Sequence, residues 1–300
     1  MAVVSRPVAG AWGGHSMVAP LRRVLVNAPL APRDERAWEA FGYVRPVDYD
    51  LALREHHEFC ALLSAAGCEV IVGEYDDQGL QDAIFTFDPS IITDAGAILC
   101  SMGKQLRRLE VDLAEQAMLR LGIPIAGRIE APGTLEGGDC LWLDNHTLVV
   151  GRGYRTNAEG IRQLTVILRK QGVDFVPFDL PYWQGPAECL HLLSFISLVD
   201  AKMAVVHLPL MAVGFVQLLR EHGFTLIEIP EEEYPTQGTN VLVTAPRHCI
   251  LLRENVATAR RLRDAGCDVT FYNGDEISHN RAGGPTCLTR PIFRSPVGDR

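Results

Sequence analysis

Five times along the chain an amphipathic segment stops at a glycine and passes at once into a β-like run. The five stretches are ALLSAAG-CEVIVGE, QAMLRLG-IPIAGRI, VILRKQG-VDFVPFD, QLLREHG-FTLIEIP and RRLRDAG-CDVTFYN. Their glycines, Gly67, Gly122, Gly172, Gly223 and Gly266, are spaced by 55, 50, 51 and 43 residues. Each stands where the residue after a helix turns left-handed, a conformation that glycine adopts without a Cβ clash. Upstream of the last four helices lies a further apolar run, GAILCS, HTLVVG, MAVVHL or HCILLR, and RRVLVNAP at 22–29 plays that part before the first. Apolar residues inside the helices recur at helical spacing, as Ile161, Leu164, Ile167 and Leu168 do, or Phe215, Leu218 and Leu219. Each unit therefore reads strand, helix, glycine stop, strand. Units of about 50 residues cannot close a core alone and must share one.

Alternating strands and helices fit a doubly wound sheet or a closed ring of α/β units. Five similar units without a linker between them favour the ring. The fold expected is an α/β, five-bladed propeller: a pseudo-fivefold ring of ββαβ-type repeats. It is expected as a single domain over 1–300, with core repeats over about 22–294 and an N-terminal extension at 1–21. At 300 residues and 47% hydrophobic, the chain is too apolar for disorder and long enough for a large core.

Lys and Arg number 28 against 37 Asp and Glu, a net charge of −9, which speaks against a nucleic-acid partner. The most apolar stretch, Leu190 to Leu219, is cut by Asp200, Lys202 and His207, so no membrane span is expected. The opening MAVVSRPVAGAWGGHS lacks the apolar region of a signal peptide, and a cytoplasmic location is expected. Eight cysteines without a CxxC pair read as reduced thiols, mostly core residues, and their spacing supports no zinc site.

Chemistry is expected between the repeats, where α/β architectures carry their sites. DAIFTFDP sets Asp82 and Asp88 around aromatic residues, as a cation pocket would, although Asp-Pro also begins turns. TLEGGDCLWL aims Glu136 from a paired-glycine bend that could equally be a hairpin turn. GRGYRTNAEG resembles half a dinucleotide fingerprint, but Thr156 stands where the third glycine belongs. Thr156 or Asn157 would cap the next helix, and Arg155 is a candidate anion clamp or a solvated surface residue. His191 in AECLHLLSF reads as a core histidine unless a nucleophile accompanies it. Cys287, after Gly283, Gly284 and Pro285, sits on a glycine-rich turn, unlike Cys60 or Cys267 within the repeats. A cysteine nucleophile needs such access. A thiol, an imidazole and several carboxylates, one per inter-repeat segment, are what a site on a ring axis would draw upon.

DAIFTFD, KQLRRLE, EGGD, GRGYRTNAEG, ECLHL and GGPTCLT, in that order, resemble the guanidino-modifying enzyme superfamily, the penteins. The nearest branch is that of dimethylarginine dimethylaminohydrolase, and the resemblance spans roughly residues 22–294. It implies Cys287 as nucleophile, His191 as general acid and base, and Glu136 as the carboxylate assisting it. It implies a substrate pocket of Asp82, Asp88 and Phe85, with Arg107 and Arg155 holding the substrate's α-carboxylate. Cys287 would attack the guanidinium carbon, His191 would protonate the departing amine, and a thiouronium intermediate would be hydrolysed to a ureido product. No cofactor and no metal are implied. The partner is a small guanidino substrate, with a homodimer as the candidate assembly.

Three positions depart from family patterns. Leu193 stands where arginine deiminases and amidinotransferases carry an acid, and Thr286 where they tend to place His before the nucleophile. Both favour the dimethylargininase-like branch over arginine deiminase or amidinotransferase chemistry, the alternative within the enzyme class. Phe87 stands where that branch often has Glu, which leaves the leaving amine open. A non-catalytic propeller that binds a guanidino ligand is the alternative of another class, and a nicotinamide enzyme is the weakest.

Overall fold

The structure, a computed structural model, describes residues 12–295 apart from positions 78 and 187. It begins with β1 (Leu21–Val26), α1 (Ala37–Phe41), α2 (Tyr49–Ala65) and β2 (Glu69–Val72). Four units of one pattern follow. The first is β3 (Ser90–Thr93), β4 (Gly96–Leu99), α3 (Glu110–Arg120) and β5 (Ile125–Arg128). The second is β6 (Cys140–Trp142), β7 (Thr147–Arg152), α4 (Ala158–Arg169) and β8 (Asp174–Asp179). The third is β9 (Ile196–Asp200), β10 (Met203–Val206), α5 (Val213–Glu221) and β11 (Thr225–Glu228). The fourth is β12 (Leu242–Ala245), β13 (His248–Leu252), α6 (Val256–Asp264) and β14 (Asp268–Tyr272), and β15 (Arg290–Arg294) ends the described chain.

Each unit makes one three-stranded sheet. An antiparallel pair comes first, and the helix then carries the chain over to a parallel third strand. The fifth sheet joins the two ends of the chain: β15 runs antiparallel to β1, with Leu25 opposite Arg290, and β2 completes it in parallel. Every strand and helix read from the sequence is present, with one strand more before each unit, which makes the repeats ββαβ.

The middle strands are apolar because both faces are covered: all four residues of β4 and of β10 are buried. Outer strands such as β8 instead mix exposed and half-buried positions and have no buried residue. Leu164 and Leu168 of α4 are buried, with Ile161 and Ile167 packed beside them, as the helical spacing demanded. Burial of side chains of that size stabilises the fold by about 1.5–3 kcal/mol each. At the helix ends Gly67, Gly122, Gly172, Gly223 and Gly266 have φ of 87°, 73°, 71°, 76° and 82°. A Cβ at four of them, Gly266 excepted, would meet nothing within 4 Å, so the backbone angle and not crowding selects glycine.

The sheets touch in chain order and close. Strand β15 packs on β3, Ser101 bridges to Leu135, β6 packs on the turn at Leu192–Ser194, β9 on β12, and β12 on β1. The described part of the N-terminal extension lies against this closure, where Gly13 pairs with Phe293 at the edge of β15. Among the described residues no helix is long and apolar enough to cross a membrane.

Candidate active site

The segment entering the first strand of each sheet carries one polar residue toward a common centre. These residues are Asp88 before β3, Glu136 before β6, His191 before β9, Asn240 before β12 and Cys287 before β15. A fivefold ring brings equivalent segments together at one end of its axis, which is why residues so far apart in the chain converge. Asn240 completes the set and was not read from the sequence, where TNVLV offers only an asparagine ahead of a strand.

Glu136 and His191 form the tightest pair. Glu136 Oε2 lies 2.7 Å from His191 Nε2, and neither side chain has appreciable solvent exposure. The other oxygen, Oε1, accepts the backbone N–H groups of Gly103 at 2.9 Å and Lys104 at 3.2 Å. Burial alone would raise the Glu136 carboxyl, but His191 beside it, with Arg155 and Arg107, overrides this and holds it at about 2. Burial likewise opposes the His191 imidazolium, and the surrounding Cys189, Asp139 and Asp88 raise it well above 6.5 nonetheless. The pair is thus carboxylate and imidazolium. Both glycines of EGGD are demanded by space: a Cβ on Gly137 would strike the Phe87 carbonyl, and one on Gly138 the His191 ring. The bend is a 3-10 turn at Gly137–Asp139, not a hairpin. Asp139 accepts the Leu192 N–H at 3.0 Å and so ties the histidine segment to it.

Asp88 faces the same centre. Its Oδ1 accepts the Gly138 N–H at 3.0 Å and its Oδ2 the Arg107 Nη1 at 2.7 Å. Arg107 also donates to Glu110, at 3.0 Å from Nε and 2.8 Å from Nη2, and to the Phe85 carbonyl at 3.2 Å. Its guanidinium is buried and lies 5.9 Å from the Phe85 ring. Burial of Glu110 outweighs Arg107 and pushes that carboxyl up to about 8. Asp82 completes the acidic wall, bonded to Lys104 Nζ at 2.7 Å and to the Tyr43 hydroxyl at 2.8 Å. Arg155 reaches Glu136 Oε2 at 3.4 Å and is buried, so it is no solvated surface residue. Donor atoms of Asp88, Glu136 and His191 lie within 4.8 Å of one another, but Arg107 and Arg155 surround them with positive charge that a metal ion would have to displace.

Cys287 is half-buried on its turn, against the Phe85 side of the core. Asn240 Nδ2 donates to its sulfur at 3.3 Å, and Asn240 Oδ1 accepts the Thr286 N–H at 3.0 Å. The Cys287 carbonyl takes the Phe87 N–H at 3.2 Å, which fixes the thiol turn to the Asp88 segment. Burial and the Asp88 carboxylate raise the thiol to about 11, against hydrogen bonds from Asn240 and the Gly284 backbone and the charge of His191.

The eight residues expected at a site, Cys287, His191, Glu136, Asp82, Asp88, Phe85, Arg107 and Arg155, are linked by these contacts into one cluster. Two expectations change and one is resolved between its alternatives. Cys189 is no packing residue: it is exposed, with its sulfur 3.6 Å from His191 Nδ1. Asn157 caps α4 through the Gly160 N–H at 2.8 Å, while Thr156 turns to accept the Glu136 N–H at 3.1 Å. Phe87 leaves the acidic wall intact, because its ring points away from it and stacks on the Arg290 guanidinium, 3.9 Å from Cζ to centroid. Leu193 and Thr286 are both buried, Leu193 within the main apolar cluster.

A ring of five ββαβ sheets with thiol, imidazole and carboxylates on its axis defines the guanidino-modifying class, the pentein fold. Within that class, a family model described as N,N dimethylarginine dimethylhydrolase, eukaryotic, matches residues 29–294, and the chain belongs to this family. The N(G),N(G)-dimethylarginine dimethylaminohydrolase of Pseudomonas aeruginosa is 33% identical over 187 residues, 62% of this chain and 68% of the relative. The enzyme of that name from Streptomyces coelicolor is 29% identical over 273 residues, 90% of this chain and 96% of the relative. A solved structure of the Pseudomonas aeruginosa protein, complexed with citrulline, has a TM-score of 0.74 at 24% identity, covering 90% of this chain and 98% of that one.

Proposed function

We propose that this protein hydrolyses a C–N bond of an N-methylated arginine, releasing citrulline and a methylamine, with Cys287 as nucleophile. The observation that carries the reading is the ion pair of Glu136 and His191, 2.7 Å long and buried in one cluster with Asp88 and Cys287. A guanidinium carbon is a poor electrophile because its charge is shared by three nitrogens. Asp88 retains lone pairs beyond those engaged by Gly138 and Arg107, and these orient the cation with its central carbon toward the sulfur.

At rest Cys287 is a thiol and His191 an imidazolium. The arriving guanidinium cation favours the thiolate, and the thiol proton leaves to solvent. The thiolate forms a bond to the guanidinium carbon, His191 gives its proton to the methylated nitrogen, and the C–N bond breaks. The S-alkylthiouronium left behind keeps one positive charge. His191, now neutral, takes a proton from water, the hydroxide adds to the same carbon, and the C–S bond breaks to yield the ureido product and free Cys287. General acid and base help of this kind contributes about 10²–10⁴-fold.

Arg155, whose one hydrogen-bonded partner among the described residues is Glu136 at 3.4 Å, is the arginine with donors left for the substrate's carboxylate. Arg107 gives most of its five N–H groups to Glu110, Asp88 and Phe85, and its part is to hold the acids in place.

The test is product identification across arginine, mono- and dimethylated arginines and other guanidines, with Cys287→Ala as the control. Citrulline from the methylated substrates, lost in the variant, is the expected result. Citrulline formed at undiminished rate by Cys287→Ala would overturn the covalent route. Release of ammonia from arginine alone would reassign the substrate.

A further inference from the structure

Two arginines of β15 lie outside the chemistry described so far. Arg290 and Arg294 are 5% and 3% exposed, and neither guanidinium is ion-paired to a carboxylate among the described residues. Arg290 donates to the Phe87 carbonyl and stacks on the Phe87 ring. Arg294 donates to the Ala19 carbonyl at 2.6 Å. The Nε of each finds no acceptor among the described residues. Asp88 is near enough to act on Arg290, but it is already engaged by Arg107. A buried charge without a counter-charge is strongly disfavoured, and here two such charges of one sign stand on one short strand.

Both side chains line one cavity, together with Phe87, Gly14 and Ser16, and neither Asp82 nor Asp88 is in its lining. Its volume is about 40 Å³. One water needs about 10–15 Å³ on that measure, so a single small ion fits and a metabolite does not. Trp142 and Leu193 give it apolar walls. Two of its hydroxyls are engaged, since Ser197 donates to the Thr239 carbonyl at 2.7 Å and Thr286 points to the Val241 carbonyl at 3.4 Å, while Ser16 Oγ accepts the Val18 and Ala19 N–H groups. We propose that this cavity binds a small monovalent anion of the halide class between Arg290 and Arg294. A spherical anion needs only the guanidinium N–H donors that the site leaves free, whereas an oxyanion would present further oxygens to apolar walls. A divalent anion would bring a hydration shell that this space cannot hold.

Bound there, the anion would neutralise the cation that anchors the Phe87 carbonyl, one residue before Asp88. Its effect on the enzyme is through stability and not through contact with substrate.

The experiment uses the whole chain and bromide as probe, with gluconate replacing it at constant ionic strength. Thermal unfolding of the wild type should shift upward with bromide, by about 3 °C at ten times the dissociation constant and by a near-constant increment for each further tenfold. The shift should be lost in Arg294→Gln and in Arg290→Met. Crystals soaked in bromide should show an anomalous peak between the two guanidinium groups. An absent shift, a shift that persists in both variants, or a map without that peak overturns the proposal, and a response to nitrate alone overturns its halide assignment. If neither variant folds, the wild-type titration and the anomalous map decide between these outcomes.

Discussion

Asn240 holds the turn of Cys287 at two points: its Nδ2 donates to the sulfur at 3.3 Å, and its Oδ1 accepts the N–H of Thr286, the residue before the cysteine, at 3.0 Å. One amide thereby positions the thiol and favours its ionised form. Gly284 permits the approach, since a Cβ there would overlap the Asn240 side chain. Loss of one such hydrogen bond is worth about 0.5–1.5 kcal/mol, or up to about one pKa unit. Asn240→Ala should raise the Cys287 thiol further and slow its alkylation by a haloacetamidine at neutral pH about tenfold. Asn240→Asp should slow it more, by placing a negative charge on the sulfur. Equal alkylation rates in all three proteins would remove Asn240 from the site.

With its thiol raised to about 11, free Cys287 is ionised to only about one part in a thousand at pH 8. Iodoacetamide should therefore modify it about ten times faster for each pH unit gained below that value. Turnover should level off at lower pH than alkylation does, because the substrate's cation replaces part of the missing positive charge. Measured pH profiles of alkylation and of kcat that coincide would contradict substrate-induced ionisation.

The Glu136–His191 pair makes stability pH-dependent in a definite direction. Glu136 is held at about 2, below its ordinary 4.5, so its contribution is complete above about pH 4.5 and is lost as pH falls toward 2. His191 is raised above 6.5, so its contribution is complete below about pH 6.5 and declines as pH rises toward its folded value. Removing one partner of a buried pair costs about 3–5 kcal/mol. Urea unfolding of Glu136→Gln should show a loss of that order near pH 5.5, and a smaller one at a pH well above 6.5, where the imidazolium's contribution has declined. The same loss at both pH values would mean that the pair is not ionic.

Phe87 tests the division between the acidic wall and the cavity behind it. Its ring is buried in the main apolar cluster and stacks on Arg290. Phe87→Ala should cost about 3–5 kcal/mol in unfolding free energy. Because the ring faces away from Asp82 and Asp88, KM for the guanidino substrate should change little. A KM effect far exceeding the effect on stability would return Phe87 to the substrate pocket.

Gly223 has φ of 76° and open space where a Cβ would project, so Gly223→Ala isolates the backbone term. The expected loss is about 1–2 kcal/mol, read by thermal or urea unfolding with activity unchanged. No loss at all would leave the glycine stops of this ring without a conformational reason.

The glycine periodicity, visible without any coordinates, determined the number of units, the helix ends and the strands on either side of each helix. These are local matters, decided by backbone angles and by the spacing of apolar residues within a few turns. The polar residues between repeats were legible for the same reason: Asp88 and His191 interrupt apolar runs, and Glu136 and Cys287 stand near paired glycines. Asn240 was not, because an asparagine before a strand has many uses, and only the fifth inward segment of a closed ring makes it a partner of Cys287. The direction of Phe87 was decided in space too, since adjacent residues on an extended segment face opposite ways and the chain alone does not say which faces the ligand. Cys189 shows the same limit, a thiol not set apart in sequence from the six others besides Cys287 until folding sets it 3.6 Å from His191. Sequence determined the repeats because their physics is local. Tertiary structure decided which groups share a charge, because burial and ring closure act across residues that the chain holds far apart.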